Sequence, residues 1–289
     1  MKNSDDGHDL IKNSGEPKVR CAEYGNRDGK LVVYFHGAPG AMEECALFDS
    51  HAKKHKLKVI CFDRSSIDNS LDRRSYYQQL ADQIRKKADG ELVNLIGFSI
   101  GAHVALEVGA LLNDQVQHTH LVSAAAPLNS GNFIDNMAGG LVFKLAMAKP
   151  SIFFLLTQCQ RIMAVLAPRM LVRMLFSSAA GKDIELIKCR DFKNYITPVL
   201  KHCFQNGANG YIRDIKFYVT WSGKLSGHTT YVNLWHGTED NWTPFSMASC
   251  LSKTIPGATD VNAMEGLSHY SCLYQAAPKI CAHLEEPSG

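Results

Sequence analysis

The sequence predicts an α/β fold: a mostly parallel central sheet flanked by helices, split by a helical insertion. Three observations predict it. Strand-like and helix-like segments alternate from Val19 to about Ala126, the rhythm of parallel strands joined by crossover helices. A tight Gly-x-Ser-x-Gly turn stands between an apolar run and a helix opening. From Leu128 to about Ser226 the strand signals fade into helical segments rich in Met, Leu and Phe, and the strand–helix rhythm resumes at Tyr231. This divides the chain into a tail over 1–17, a core over 18–127 and 227–289, and a helical cap, or lid, over 128–226. A length of 289 residues and a hydrophobic content of 45% suit one large domain carrying such an insertion.

The elements follow in order. Met1 to Pro17 is polar and reads as a flexible tail. Leu31 to Phe35 is an early strand, and His36-Gly37-Ala38-Pro39-Gly40 is the loop after it. Leu92 to Ile96 is a strand, and Ala102 to Val108 opens a helix. Between them lies Gly97-Phe98-Ser99-Ile100-Gly101. A strand-to-helix turn this tight crowds its central residue, and the two glycines supply space. Ser99 then stands above the sheet at the positive end of the following helix. Leu121 to Ala126 reads as the next strand, stopped by Pro127. Tyr231 to Trp235 is a strand followed by a turn-rich loop, and Thr259 to Met264 is a last short strand.

A serine hydroxyl needs a base, and the base needs an orienting carboxylate. Asp240 lies in the loop after the Tyr231–Trp235 strand, at the sheet edge where open α/β sheets place their sites. Its neighbour Glu239 is the competing acid. His269 lies in the loop after the last strand, 29 residues beyond Asp240. An oxyanion hole needs two backbone N–H groups aimed at developing charge. Ile100, after the serine, supplies one, and Ala38 supplies the other. Pro39 cannot donate, and its fixed φ helps hold the loop.

These pieces in this order resemble the α/β-hydrolase fold-1 superfamily. The resemblance rests on Tyr24-Gly25, the His36–Gly40 loop, Phe62-Asp63-Arg64, the Ser99 turn, the Gly237–Pro244 loop and Gly266-Leu267-Ser268-His269. It runs from about Val19 to His283 and is weakest in the middle. The resemblance implies a serine hydrolase with the triad Ser99, Asp240 and His269, an acyl-enzyme and no cofactor. The His-Gly-x-Pro-Gly form is similar to proline aminopeptidases and their esterase relatives. One departure stands out. The superfamily often carries Asp-Arg-Pro-Gly-x-Gly-x-Ser after the next strand; here it is Asp63-Arg64-Ser65-Ser66-Ile67-Asp68-Asn69-Ser70, without the proline and glycines. The backbone there must be different or more strained.

The simplest activity is carboxylic-ester hydrolysis. A thioesterase, a lactonase, a carbon–carbon hydrolase or a cofactor-free perhydrolase uses the same triad. Dehalogenases and many epoxide hydrolases of the superfamily carry Asp where Ser99 stands, which argues against both. Aminopeptidases need acidic groups in the cap, and this one has few. The non-enzymatic alternative is a ligand-binding protein that keeps the fold.

Charge is uneven. Residues 128–226 hold thirteen Lys/Arg and five Asp/Glu, against eighteen and twenty-three in the remainder. A basic cap over a mildly acidic body suggests docking of an anionic partner: an acyl carrier protein, coenzyme A or acidic lipid. Esterases resembling this plan dock their carrier through lid arginines, and Arg161, Arg169 and Arg173 share one face if their helix is continuous. The alternative is a solvated outer face. Phe153, Phe154, Leu155, Met163, Leu166, Met170, Met174 and Leu175 read mostly as cap core, some of them lining an acyl tunnel. A net charge of +3 is too small to imply nucleic acid. No stretch reaches the ~20 apolar residues of a spanning helix. Nine scattered cysteines, no ligand-spaced His/Cys cluster and no apolar leader point to the cytoplasm and to no metal.

Overall fold

The structure is a computed structural model describing residues 19–224 and 231–285. The expected tail and the expected return to the core near 227 lie outside the described residues. The first half runs β1 (Cys21–Gly25), β2 (Lys30–Phe35), α1 (Asp49–Lys54), β3 (Leu57–Phe62), α2 (Arg73–Ala88), β4 (Val93–Phe98), α3 (Gly101–Leu112) and β5 (Val116–Val122). Among the described residues the insertion that follows has helices and no strand: α4 (Gly140–Ala148), α5 (Pro150–Leu166), α6 (Pro168–Leu175), α7 (Asp183–Leu186), α8 (Arg190–Cys203) and α9 (Asn209–Val219). The chain closes with β6 (Tyr231–Gly237), α10 (Phe245–Thr254), β7 (Ala258–Met264) and α11 (His269–Glu285).

The seven strands form one sheet in the order β1-β3-β2-β4-β5-β6-β7. Only β1 is antiparallel, pairing with β3 at the edge. β4 is buried along its whole length and β2 everywhere except Lys30, as strands covered on both faces must be. The chain reverses its direction across the sheet between β2 and β4. The loops after these two strands therefore lie side by side at the switch point, where open α/β sheets bind ligands.

β5 departs from expectation. It ends at Val122, not Ala126, and starts at Val116. Its polar run Gln117-His118-Thr119-His120 hides it from a hydrophobicity reading. Yet Thr119 and His120 are fully buried, paired in register with Leu95 and Ile96 of β4 and with Val232 and Asn233 of β6. His120 accepts the Trp235 indole N–H at 3.0 Å. The chain leaves the sheet at Ser123, whose φ is +46°.

The loop after β3 is different rather than strained. Arg64–Ser66 forms one 3₁₀ turn, capped by Asp63, whose Oδ1 accepts from Ser65 N at 3.1 Å and Ser65 Oγ at 2.6 Å. No residue from Asp63 to Ser70 has a positive φ.

The insertion rests on loops at the carboxyl ends of the strands. α9 supplies the Asp214 carboxylate, which pairs with Arg64 at 2.9 Å. The α8 residue Tyr195 donates to the Glu44 carbonyl at 2.7 Å. Ala138 N donates to Asn241 O, and Asn241 Nδ2 to Ser178 O. Two expectations within the insertion fail. The helix carrying the three arginines is not continuous: it breaks at Ala167, so Arg161 lies on α5 and Arg169 and Arg173 on α6. The apolar residues are not mostly core. Phe153 is buried, but Phe154, Leu155, Leu166, Met170 and Met174 are 42–78% exposed. α5 is apolar around most of its circumference and buries only one face.

Candidate functional site

Ser99 occupies the turn between β4 and α3 with φ at +55°, a left-handed conformation rarely adopted by a residue with a side chain. The turn is crowded, as the glycines predict. A Cβ on Gly97 would stand 2.7 Å from Ala102 Cα, and one on Gly101 would stand 2.1 Å from Phe35 O. Backbone bonds fix the turn from three sides: Ser99 N to Val122 O, Ala102 N to Ser99 O and Ala125 N to Ser99 O.

Asp240 accepts four short contacts. Its Oδ1 takes Trp242 N and Thr243 N, both at 2.9 Å. Its Oδ2 takes His269 Nδ1 at 2.8 Å and lies 3.0 Å from Thr243 Oγ1. Burial pushes the carboxyl pKa up, but the His269 ring and the donors outweigh it and leave it below its ordinary value. His236 Nε2 is 3.6 Å from the same oxygen. Burial depresses its pKa, and its Nε2 donates to Thr243 O at 2.7 Å. Glu239, the competing acid, is exposed in the same loop.

His269 is the first residue of α11, and its ring is clamped. Trp242 stacks on it at 5.3 Å with planes 14° apart, and Phe98, next to Ser99, packs at 4.8 Å. The α11 N-terminus is capped from far away in sequence. The buried Asp183 carboxylate of α7 accepts Tyr270 N at 3.0 Å and Ser271 N at 2.7 Å.

The loop after β2 lies against the serine turn, since a Cβ on Gly37 would reach within 3.3 Å of Ser99 Cβ. The Ala38–Pro39 peptide is cis. Glu44 lies beneath this loop, fully buried, accepting Gly37 N and the Tyr34 hydroxyl, each at 2.9 Å. Burial raises its pKa against those two bonds. Arg64 donates to His36 O at 3.0 Å from the other side. His36 is pushed down to about 3 by burial and by the Arg64 charge. Among the described residues, Ala38 N–H and Ile100 N–H have no protein acceptor and Ser99 Oγ has no hydrogen-bond partner.

Four of the five expected residues, Ala38, Ser99, Ile100 and Asp240, lie in turns and loops at the carboxyl ends of the strands, and His269, expected in the loop after β7, instead opens α11 beside them. The site is closed: Ser99 is 7% exposed and His269 1%. A cavity of about 20 Å³ lies next door, lined by Ala38, Asp63, His202 and Asp214 among others, but Ser99 is not in its wall. Sequence reasoning missed Thr243, Trp242, Glu44, Asp183 and the Arg64–Asp214 pair. The Asp-x-x-Thr spacing, a short-range turn signal, points to Thr243; the others meet the site only through the fold. Among the described residues no group of three His, Cys, Asp or Glu side chains is placed to hold a metal ion.

The seven-stranded, mostly parallel sheet with its tight β4–α3 turn and flanking helices is that of the α/β-hydrolase fold. Solved structures agree. The chain is similar to the enol-lactonase from Burkholderia xenovorans, with a TM-score of 0.64 and 14% identity over 93% of this chain and 96% of that one. It is similar to a bromoperoxidase from Bacillus anthracis, with a TM-score of 0.60 and 15% identity over 91% and 93%. It is also similar to an esterase from Exiguobacterium antarcticum, with a TM-score of 0.56 and 19% identity over 92% and 93%. No family model and no curated protein matches the chain.

Proposed function

We propose that the protein is a serine-dependent acyl hydrolase acting on a small carboxylic ester. The observation that carries this reading is the His269–Asp240 contact of 2.8 Å beside a serine turn with two unengaged N–H groups. His269 donates its Nδ1 proton to Asp240, which leaves Nε2 to accept. Ser99 Oγ attacks the ester carbonyl carbon and passes its proton to Nε2. The carbonyl oxygen takes the negative charge against Ala38 N–H and Ile100 N–H, each worth about 3 kcal/mol of barrier. The intermediate collapses, the alcohol leaves with the proton from His269, and Ser99 remains acylated. Water then gives a proton to His269 and attacks the acyl carbon; the Ser99 Oγ–acyl bond breaks as His269 passes that proton to Ser99 Oγ, and the acid leaves. Residues 128–226 act as the cap and keep bulk water from the intermediate. An esterase and an enol-lactonase among the solved structures of this fold support a hydrolytic reading.

A fluorophosphonate probe tests it. Wild type should label at Ser99 and hydrolyse short p-nitrophenyl esters. Ser99→Ala should do neither and should unfold at the same temperature. Labelling or undiminished hydrolysis by Ser99→Ala overturns the assignment.

A further inference from the structure

Ten of the thirteen exposed large apolar side chains among the described residues fall between Leu141 and Met174. They lie on α4, α5 and α6, three consecutive helices packed on one another. α5 is inside out. Its buried face carries Phe153, Thr157, Gln160 and Ala164, so two polar side chains point inward. Ile152, Leu155, Ile162 and Leu166 recur at helical spacing on the opposite face and are 48–78% exposed. A soluble helix carries the reverse pattern. On α6 the exposed face alternates Arg169, Met170, Arg173 and Met174. Residues 136–182 contain six Lys/Arg and no Asp or Glu. Among the described residues, Arg161, Arg169 and Arg173 make no ion pair.

We propose that the outer face of α4–α6 docks on an anionic lipid surface, with the α5 stripe at the acyl boundary and the arginines at the headgroups. On α5 and α6, apolar side chains interleaved with three unpaired arginines and with no acid on either helix match that surface in both respects, while Lys144 of α4 pairs with the exposed Asp135. A second copy of the chain fits poorly. A two-fold contact would set the acid-free α5–α6 surface against itself, cation against cation. An acidic soluble protein would pair with the arginines but leave the apolar stripe without a role. No helix among the described residues is long and apolar enough to cross a membrane, so the helices lie on the surface. The proposal does not rest on the hydrolytic reading, because docking needs no turnover.

Sedimentation of the full chain with vesicles tests it. Wild type should sediment with phosphatidylcholine vesicles containing phosphatidylserine and much less with phosphatidylcholine alone. The triple change Arg161→Gln, Arg169→Gln, Arg173→Gln should lower binding about a hundredfold, at about fivefold for each charge. The fourfold change Ile152→Ser, Leu155→Ser, Ile162→Ser, Leu166→Ser should lower it more than tenfold. Both variants change exposed positions and should keep the wild-type circular dichroism spectrum. Ser99→Ala should bind as wild type does. Three outcomes overturn the proposal: no sedimentation at low salt, sedimentation indifferent to the fourfold change, or a wild-type dimer that this change dissociates without any vesicle binding.

Discussion

Replacing Asp240 by Asn changes one oxygen to an amide nitrogen, and the structure dictates which one. Oδ1 accepts two backbone N–H groups, from Trp242 and Thr243, each at 2.9 Å. An asparagine must keep its carbonyl there. The flipped amide would place NH₂ against two donors and forfeit both bonds, at about 1–3 kcal/mol for each unsatisfied group. The amide nitrogen therefore takes the Oδ2 position, 2.8 Å from His269 Nδ1. Nδ1 must then accept, which moves the ring proton to Nε2, the atom that has to take the Ser99 proton. The base is lost while its position is kept. The expected fall in kcat is about 10⁴-fold, or about 5.5 kcal/mol of barrier, with KM and unfolding temperature little changed. Steady-state hydrolysis of p-nitrophenyl acetate, with Glu239→Gln as control, measures it. More than a tenth of wild-type kcat in Asp240→Asn, or a comparable collapse in Glu239→Gln, refutes the reasoning.

Two further predictions concern residues that hold the site. Asp214→Asn leaves the Arg64 guanidinium buried and unpaired, so urea unfolding should show a loss of about 3–5 kcal/mol at neutral pH. Burial pushes the Asp214 carboxyl pKa up, but Arg64 and Arg213 draw it net below its ordinary 3.8. Its stabilisation is therefore complete above that value and lost as pH falls through the lower folded-state pKa; the gap between wild type and variant should narrow only in acid, and a gap constant with pH would contradict this origin. Asp183→Ala strips the acceptors from Tyr270 N and Ser271 N and should lower both melting temperature and kcat, with Asp183→Asn restoring part of each; wild-type values for Asp183→Ala would show that α11 needs no cap.

What was legible in the sequence was local. The Ser99 turn is written within a few residues, because its crowding demands glycine on both sides. The expectations for Asp240 and His269 rest on rank order and on positions just after strand ends, and the fold brings the Asp240 loop against the first residue of α11. Thr119 and His120 concealed the true β5, since a polar residue paired on both sides of a central strand looks like a loop. The insertion misled for a related reason. A run such as Ile152 to Leu166 is apolar on nearly every side, and periodicity alone does not say which face meets the protein. Asp183 and Asp214 were out of reach. Asp183 lies 87 residues from Tyr270, and Asp214 lies on a helix far from Arg64 in the chain, so nothing short of the fold brings either pair together.

The Asp183 contact also sets the terms on which the chain can be divided. One helix supplies the groups that finish another, so the boundary between insertion and sheet is not a line of separable parts. A shortened chain joining β5 directly to β6 would retain every strand and the serine turn. It would lose the carboxylate seated on the first amides of α11, the acceptor at Ser178 that holds the Asp240 loop, and the anion beside Arg64. The helices grafted onto another sheet of the same plan would carry that carboxylate to a helix not shaped for it. Exchange of such segments between relatives is thus a joint substitution, in which the helix behind His269 and the residues that face it have to travel together.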